Sequence, residues 1–510
     1  MKIGTRSEMH QMDTLAMTQY GIPSLLLMEH AAYGVFNQLK ERQEQTVLII
    51  CGPGNNGGDG LALARQLVTW SHKKVEVILA VPPEKLSSDG QTYYAICKKL
   101  NLPIHQWQSI EAIQPKQLMQ ADMIIDALFG TGLTRDVTGF YKTLIEAINT
   151  YRRGTVVSLD LPSGIACDTG VIKGVAVEAD ETFTFQWSKV GLCVYPGVLY
   201  AGKITCIDIG IPKRLQAALP TRYESTEILD AQAMLPKRPM RSNKGDYGKV
   251  LLIGGSKEMS GAITLAAQAA MKAGAGTVTL VVPDVIQDRV ASCCIDAMTV
   301  GLMSDEGHFG IGACEWLEKN LERFDVVAVG PGMGRSEAIE HLINCILKKE
   351  IPCIIDADGL YPLNKLLSGI KNRQAPILLT PHPKEFSRLS GLSVTQILAN
   401  PLDSLEDFVK ATKVHAILKL ERTLVATGTK VFINTTGNPA LAKGGSGDVL
   451  TGLIAGIYGW SGSVETALRL GVYMHGATAD ELCHKTGSYS LQPSQLSEGI
   501  ESIFRKLENK

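Results

Sequence analysis

Thr46-Val47-Leu48-Ile49-Ile50 runs directly into Cys51-Gly52-Pro53-Gly54-Asn55-Asn56-Gly57-Gly58-Asp59-Gly60, and this junction decides the fold. A short apolar, β-branched run that ends in glycines reads as a buried strand entering a tight turn. From Leu61 to Trp70 the apolar residues recur at helical spacing. A glycine turn that opens a helix leaves backbone N–H groups pointing outward, where the helix dipole favours an anion. Strand, glycine turn and helix therefore begin an α/β unit with a ligand cradle at the end of a strand.

The pattern extends on both sides. Upstream, Ser7 to Lys40 has helical spacing (Met9, Met12, Leu15, then Leu25, Met28, Ala32), split near Gly21-Ile22-Pro23. Downstream, Val75–Val81, Met123–Leu128 and Thr155–Asp160 read as strands, with a helix over Leu144–Tyr151. Strands alternating with helices predict a parallel sheet covered on both faces, a Rossmann-like three-layer sandwich. Such sheets bind ligands beyond the carboxyl ends of their strands. Asp126, Asp160 and the first glycine turn all fall at such ends.

Between 223 and 240 the rhythm breaks at Leu235-Pro236-Lys237-Arg238-Pro239-Met240, and the linker is placed there. A second α/β unit follows over 241–510. Its strands are Lys249–Ile253, Thr277–Val282, Asp325–Val329, Cys353–Asp356, Ile377–Thr380 and Ala416–Lys419, with helices over Ala262–Ala273 and from about Asp448 to Leu482. A chain of 510 residues suits two domains.

Composition narrows the class. Apolar content of 45% with 20% charge describes a soluble globular protein, and a net charge of -1 gives no reason to expect nucleic acid or an anionic membrane. The eleven cysteines include no Cys-x-x-Cys pair and no cysteine–histidine spacing of a zinc site. Reduced thiols, no secretory apolar core at the N-terminus and no apolar run of membrane length predict a cytoplasmic protein.

Two constellations carry the chemistry. In the first half, Gly52, Gly54 and Gly57 fit a G-x-G-x-x-G pattern, which alone is weak evidence for a dinucleotide. The run Asn55 to Gly60 is more specific, because its carboxamides add neutral oxygen ligands to the main-chain donors. Asp126 precedes the glycine turn Gly130-Thr131-Gly132, and Ser158-Leu159-Asp160-Leu161-Pro162-Ser163 adds a second carboxylate and a hydroxyl. The oxygens of Asn56, Asp126 and Ser163 suit a hard cation of low charge density.

In the second half, Gly444-Gly445-Ser446-Gly447-Asp448 precedes an apolar helix. Main-chain donors there can neutralise a transferring phosphate, and Asp448 can take the proton of an attacking hydroxyl. Gly330-Pro331-Gly332-Met333-Gly334 and Thr380-Pro381-His382-Pro383 each follow a strand, as does Lys419 to Thr423.

On these motifs, residues 1–222 resemble the NAD(P)H-hydrate epimerase domain. The resemblance implies substrate contacts at Asn55, Asn56, Gly57, Gly58, Asp59, Gly130, Thr131, Gly132, Leu133, Thr134, Arg135, Asp136 and Asp160. It also implies potassium held by Asn56, Asp126 and Ser163. Asp160 is the candidate proton shuttle, with a purely hydrogen-bonding role as the alternative. Residues 241–510 resemble the ADP/ATP-dependent NAD(P)H-hydrate dehydratase domain, a ribokinase-like fold. Here the resemblance implies hydrate contacts at Ala262, Gly332, Gly334, His382 and Asp448. Nucleotide contacts would come from Lys419, Leu420, Glu421, Arg422, Thr423 and Gly447, with magnesium accompanying the phosphates. The family usually has Lys-Gly at the start of that nucleotide segment, and this chain has Lys419-Leu420-Glu421. The implied partners are small molecules, the hydrates of NADH and NADPH and ADP (or ATP), in a homo-oligomer. The rivals are a ribokinase-type vitamin kinase fused to a nucleotide-binding module, and a binding protein without turnover.

Overall fold

The computed structural model describes residues 1–428 and 430–509. The chain divides into two compact units, Lys2–Tyr223 and Glu224–Lys510 with Met1. Among the described residues no helix is long and apolar enough to cross a membrane.

In the first unit, Thr46–Cys51 (β1), Lys74–Leu79 (β2), Ile104–Gln106 (β3), Met123–Ala127 (β4), Thr155–Leu159 (β5), Glu181–Phe185 (β6) and Lys203–Ile207 (β7) form one sheet. Its order is β3-β2-β1-β4-β5-β6-β7, with every pair parallel. Alternation along β1 explains the layers. Val47, Ile49 and Cys51 pack in one core, and Leu48 and Ile50 pack in the other. Each such fully buried aliphatic side chain contributes about 1.5–3 kcal/mol. Strand order reverses between β1 and β4, which opens a crevice at their carboxyl ends.

The helix after β1 starts earlier than the sequence suggests. It spans Asn55–Trp70, so the run Asn55–Gly60 forms its first turns instead of a preceding loop. Close approach explains why glycines are tolerated there. A Cβ on Gly57 would lie 2.0 Å from the Gly52 carbonyl oxygen, and one on Gly52 would lie 1.9 Å from that of Leu128. Ahead of the sheet, the helix Arg6–Tyr20 starts on a Thr5–Glu8 capping box and stops at Gly21, and Ser24–Leu39 follows.

The second unit holds Lys249–Ile253 (β8), Thr277–Pro283 (β9), Met298–Leu302 (β10), Val326–Val329 (β11), Cys353–Ile355 (β12), Ile377–Leu379 (β13), His415–Leu418 (β14), Leu424–Ala426 (β15) and Val431–Ile433 (β16). They run in the order β10-β9-β8-β11-β12-β13-β14-β15-β16. The pairs are parallel as far as β14 and antiparallel beyond it. Order again reverses, between β8 and β11. The helices Ser260–Lys272 and Ser446–Ser461 touch through their backbones, since a Cβ on Gly452 would lie 1.9 Å from the Ala266 carbonyl oxygen. The final helical block is two helices, Ser446–Ser461 and Val464–Thr486, separated at Gly462.

Part of the stretch 223–240 is structured. The helix Ile228–Met234 packs on Val464–Thr486 and Pro493–Glu508, whereas the proline-rich basic residues 235–240 carry no helix or strand.

Candidate active sites

The crevice of the first unit holds a cavity of about 570 Å³. Asn55, Asn56, Asp59, Gly130, Thr131, Gly132, Leu133, Thr134, Arg135 and Asp160 line it. Gly57 and Gly58 are buried within the helix, and Asp136 is exposed and lies off the cavity wall.

Asp126 and Ser163 form one buried oxygen cluster, and Asn56 lies near Gly130 in the same unit. Asp126 is fully buried and accepts from Ser158 Oγ (2.8 Å), Ser163 Oγ (2.6 Å), Ser163 N (2.8 Å) and Leu128 N (3.2 Å). Burial raises its pKa, and the hydrogen bonds from Ser163 and Ser158 oppose that rise. Asn56 is 6% exposed, and among the described residues neither its amide oxygen nor its amide nitrogen has a hydrogen-bond partner. A buried carboxamide left unsatisfied costs about 1–3 kcal/mol, so this one is poised for a ligand. Its free oxygen, with the Asp126 carboxylate and the Ser163 hydroxyl, is a donor set that fits a hard cation.

Asp160 sits at φ 67°, in the left-handed region that aspartate tolerates better than most residues. Its N–H donates to the Phe183 carbonyl at 2.7 Å, which anchors the turn to β6. Gly130 lies against its carboxylate, where a Cβ would come within 3.0 Å of Oδ2 and 3.5 Å of the Asn56 Cβ. Thr131 N donates to Oδ2 at 3.3 Å.

Two cavity residues escaped the sequence reading. The first is Lys189, whose side chain is 1% exposed and whose ammonium meets Asp160 Oδ1 at 2.6 Å. It also donates to Thr184 Oγ1 (2.9 Å) and the Phe185 carbonyl (2.8 Å), so all three of its protons are placed. The second is Asp13, one turn beyond Met9 on the helix Arg6–Tyr20. Burial raises its pKa to about 6 against the opposing pull of Lys189. Burial also raises Asp59 well above the usual carboxylate range, reinforced by the charges of Asp160 and Asp13. Neither carries a clear signal in the sequence: Asp13 lies four residues after Met9, and Lys189 follows Gln186-Trp187-Ser188.

In the second unit, Asp448 occupies the first turn of Ser446–Ser461. Burial raises its pKa to about 7; the negative charge of Asp356 adds to this and Lys419 opposes it. Asp356 is 1% exposed, receives Lys419 Nζ at 2.8 Å and accepts from Thr451 Oγ1 at 2.7 Å. Burial pushes Asp356 up, but the Lys419 ammonium and the hydrogen bonds outweigh it, so its pKa lies below the usual value. Lys419 therefore points inward. A Cβ on Gly447 would sit 3.5 Å from its Nζ. Arg422 donates to the Thr435 carbonyl, and Glu421 is exposed. Both cations of this segment are thus engaged within the protein.

Ala262 and Gly332 are brought together, for a Cβ on Gly332 would lie 2.9 Å from that of Ala262. Gly334 N donates to Asp358 Oδ2 at 2.9 Å. His382 caps the helix Pro383–Ser390, its Nδ1 accepting from Lys384 N (3.1 Å) and Glu385 N (3.4 Å). Burial lowers its pKa. His475, missed in the sequence, has its pKa lowered to about 4 by burial, so it is neutral and its Nε2–H donates to the Ser446 carbonyl at 2.9 Å. It fixes the glycine turn from behind. The buried hydroxyls of Ser256, after β8, and Ser446 have no hydrogen-bond partner among the described residues. The roughly 660 Å³ cavity of this unit, lined by Gln268, Met271, Cys294 and Ser497 among others, includes none of these residues.

Fold and geometry together describe an α/β protein with two candidate ligand sites, each joining a helix N-terminus to an aspartate. The NAD(P)H-hydrate dehydratase family matches residues 250–502, and the YjeF-related protein N-terminus matches residues 24–191. The bifunctional NAD(P)H-hydrate repair enzyme Nnr of Moorella thermoacetica is 37% identical, with 100% of this chain and 97% of the relative covered. That of Thermofilum pendens is 35% identical, with 99% and 97% covered. Among solved structures, the ADP/ATP-dependent NAD(P)H-hydrate dehydratase from Bacillus subtilis, co-crystallised with ATP and Mg²⁺, is 28% identical with a TM-score of 0.50, covering 56% of this chain and 99% of that one. The chain belongs to the family of bifunctional NAD(P)H-hydrate repair enzymes.

Proposed function

We propose that the first unit interconverts the R and S hydrates of NADH and NADPH, and that the second dehydrates the S form using ADP (or ATP). The observation that carries this reading is the pair of switch-point crevices, each with a helix N-terminus for an anion and an aspartate in the first turns of that helix, Asp59 and Asp448.

In the first site the hydroxyl lies on the ring carbon next to nitrogen. Asp13 protonates it and water leaves, the nitrogen lone pair stabilising the cation. Water returns to the opposite face and yields its proton to Asp160, which Lys189 holds in place. Main-chain donors of Asn55–Asp59 and the loop Gly130–Asp136 bind the phosphates. Asn56, Asp126 and Ser163 would hold potassium, which supplies positive charge for the bound anion.

In the second site Asp448 takes the proton of the hydrate hydroxyl as its oxygen attacks the terminal phosphorus, and the P–O bond to AMP breaks (to ADP when ATP is the donor). Donors of the Gly444–Gly447 turn receive the developing charge. Phosphate is a far better leaving group than hydroxide. Its loss, with that of a proton from the neighbouring carbon, restores the dihydropyridine. Ala262, Gly332, Gly334 and His382 face the hydrate; the main chain of Lys419–Thr423 and Gly447 faces the nucleotide. Asp356 is committed to Lys419 and Thr451, so magnesium would be carried mainly by the nucleotide phosphates and water, as that ion prefers. We place the protein in the cytoplasm as a homo-oligomer.

One time course tests both halves. Mixed R and S hydrates with ADP and magnesium return to full NADH absorbance with the unsubstituted chain. With Asp160→Asn the fast phase stops near half recovery, because only one epimer is consumed. With Asp448→Asn dehydration falls by about 10²–10⁴-fold while epimer exchange persists. Accumulation of a stable phosphorylated hydrate would mark a kinase instead.

A further inference from the structure

Cys314, His341 and Cys345 converge in the second unit, outside both catalytic clusters. Cys314 lies in the first turn of the helix Ala313–Asn320. His341 and Cys345 are one turn apart on the helix Glu337–Leu347 and so share a face. The two helices pack together, and one ligand atom from each residue lies within 4.8 Å of the others. Both cysteines are buried free thiols, and His341 is exposed. No zinc spacing is legible in the chain because the third ligand comes from a separate helix.

We propose that these residues form a zinc site with two thiolates, one imidazole and a fourth position open to water. Thiolates select a thiophilic dication over potassium or magnesium. A tetrahedral zinc, with Zn–S of about 2.3 Å and Zn–N of about 2.0 Å, sets its ligands about 3.5–3.8 Å apart. Side-chain torsions thus need to close the cluster by only about 1 Å. Each thiol releases its proton to solvent as its sulfur binds the metal. Two thiolates cancel the charge of the dication, so no net charge is buried. The exposed imidazole gives the ion its entry and leaves the open position on the solvent side.

The role is a clamp. The helix Glu337–Leu347 begins just after the turn Gly330–Gly334, and His341 and Cys345 lie about 6 and 12 Å along its axis from Glu337. Zinc would pin the helix that follows this turn to Ala313–Asn320.

The test is a cobalt titration of the reduced, chelator-treated full-length chain. One equivalent should produce a thiolate-to-cobalt charge-transfer band, which zinc then abolishes by displacement. Cys314→Ser and Cys345→Ser should lose the band. His341→Ala, a change at an exposed position, should weaken binding by about tenfold or more and lose the rise in Tm that zinc gives the unsubstituted chain. The proposal is overturned if no band forms, if the band is unchanged in Cys345→Ser, or if His341→Ala binds cobalt as tightly as the unsubstituted chain. Recovery of Cys314 and Cys345 as a disulfide that survives reduction would overturn it too.

Discussion

Asp448 and Asp13 show how burial turns ordinary carboxylates into proton carriers. With its pKa near 7, Asp448 becomes an available base only as pH rises through neutrality. Dehydration should therefore climb about tenfold per pH unit below 7 and level off above it, which a pH profile of kcat/KM would read. Stability moves the opposite way. The folded chain keeps this proton from the ordinary 3.8 up to about 7, so it binds more protons than the unfolded chain across that window. The contribution is fully present below 3.8 and lost as pH rises through 7. Asp448→Asn should then be more stable than the unsubstituted chain above pH 7, as denaturant midpoints would report. Asp13 acts as an acid, so epimer exchange should fall above about pH 6, and Asp13→Asn should flatten that limb while slowing exchange. At Asn56 the unsatisfied amide predicts a cation effect. Asn56→Ala should abolish the difference in exchange rate between potassium and sodium buffers while leaving dehydration unchanged.

At the scale of elements, the contact between Ser260–Lys272 and Ser446–Ser461 rests on Gly452. Alanine is the better helix former by about 1 kcal/mol, yet its methyl would strike the Ala266 carbonyl. Gly452→Ala should cost about 1–3 kcal/mol net, seen as a lower urea midpoint for the second unit. The sequence made the strands around both crevices legible, because β1, β4, β5, β8 and β11 are apolar runs that end in glycine or aspartate. It hid β3, which has three residues, and β6, where Thr182 and Thr184 are fully buried. Those threonines read as polar, but their burial is made good by the Ala201 carbonyl and by Lys189, partners set by tertiary structure. Asp13 and Lys189 were illegible for the same reason: their neighbours in the cavity come from other strands and helices. The start of the helix at Asn55 was missed because glycines signal a turn unless close packing excludes a side chain.

At the scale of the molecule, each unit repeats one plan, in which a reversal of strand order makes the crevice and a glycine-opened helix makes the anion seat. Ligands should therefore act locally. In hydrogen-exchange measurements, ADP with magnesium should protect 419–423 and 444–448 and leave 55–59 unchanged, whereas a hydrate analogue, which both units bind, should protect 55–59 as well as 444–448. Protection of 55–59 by ADP with magnesium would count against separate sites.

Thioether side chains supply one wall of the first cavity. Met9, Met17 and Met28 all line it, and Met17 is 39% exposed. Peroxide would reach Met17 first and convert an apolar contact into a polar, chiral sulfoxide. An enzyme that mends a damaged redox carrier thus has a mouth that oxidants can themselves damage, and a sulfoxide reductase would be needed to restore it.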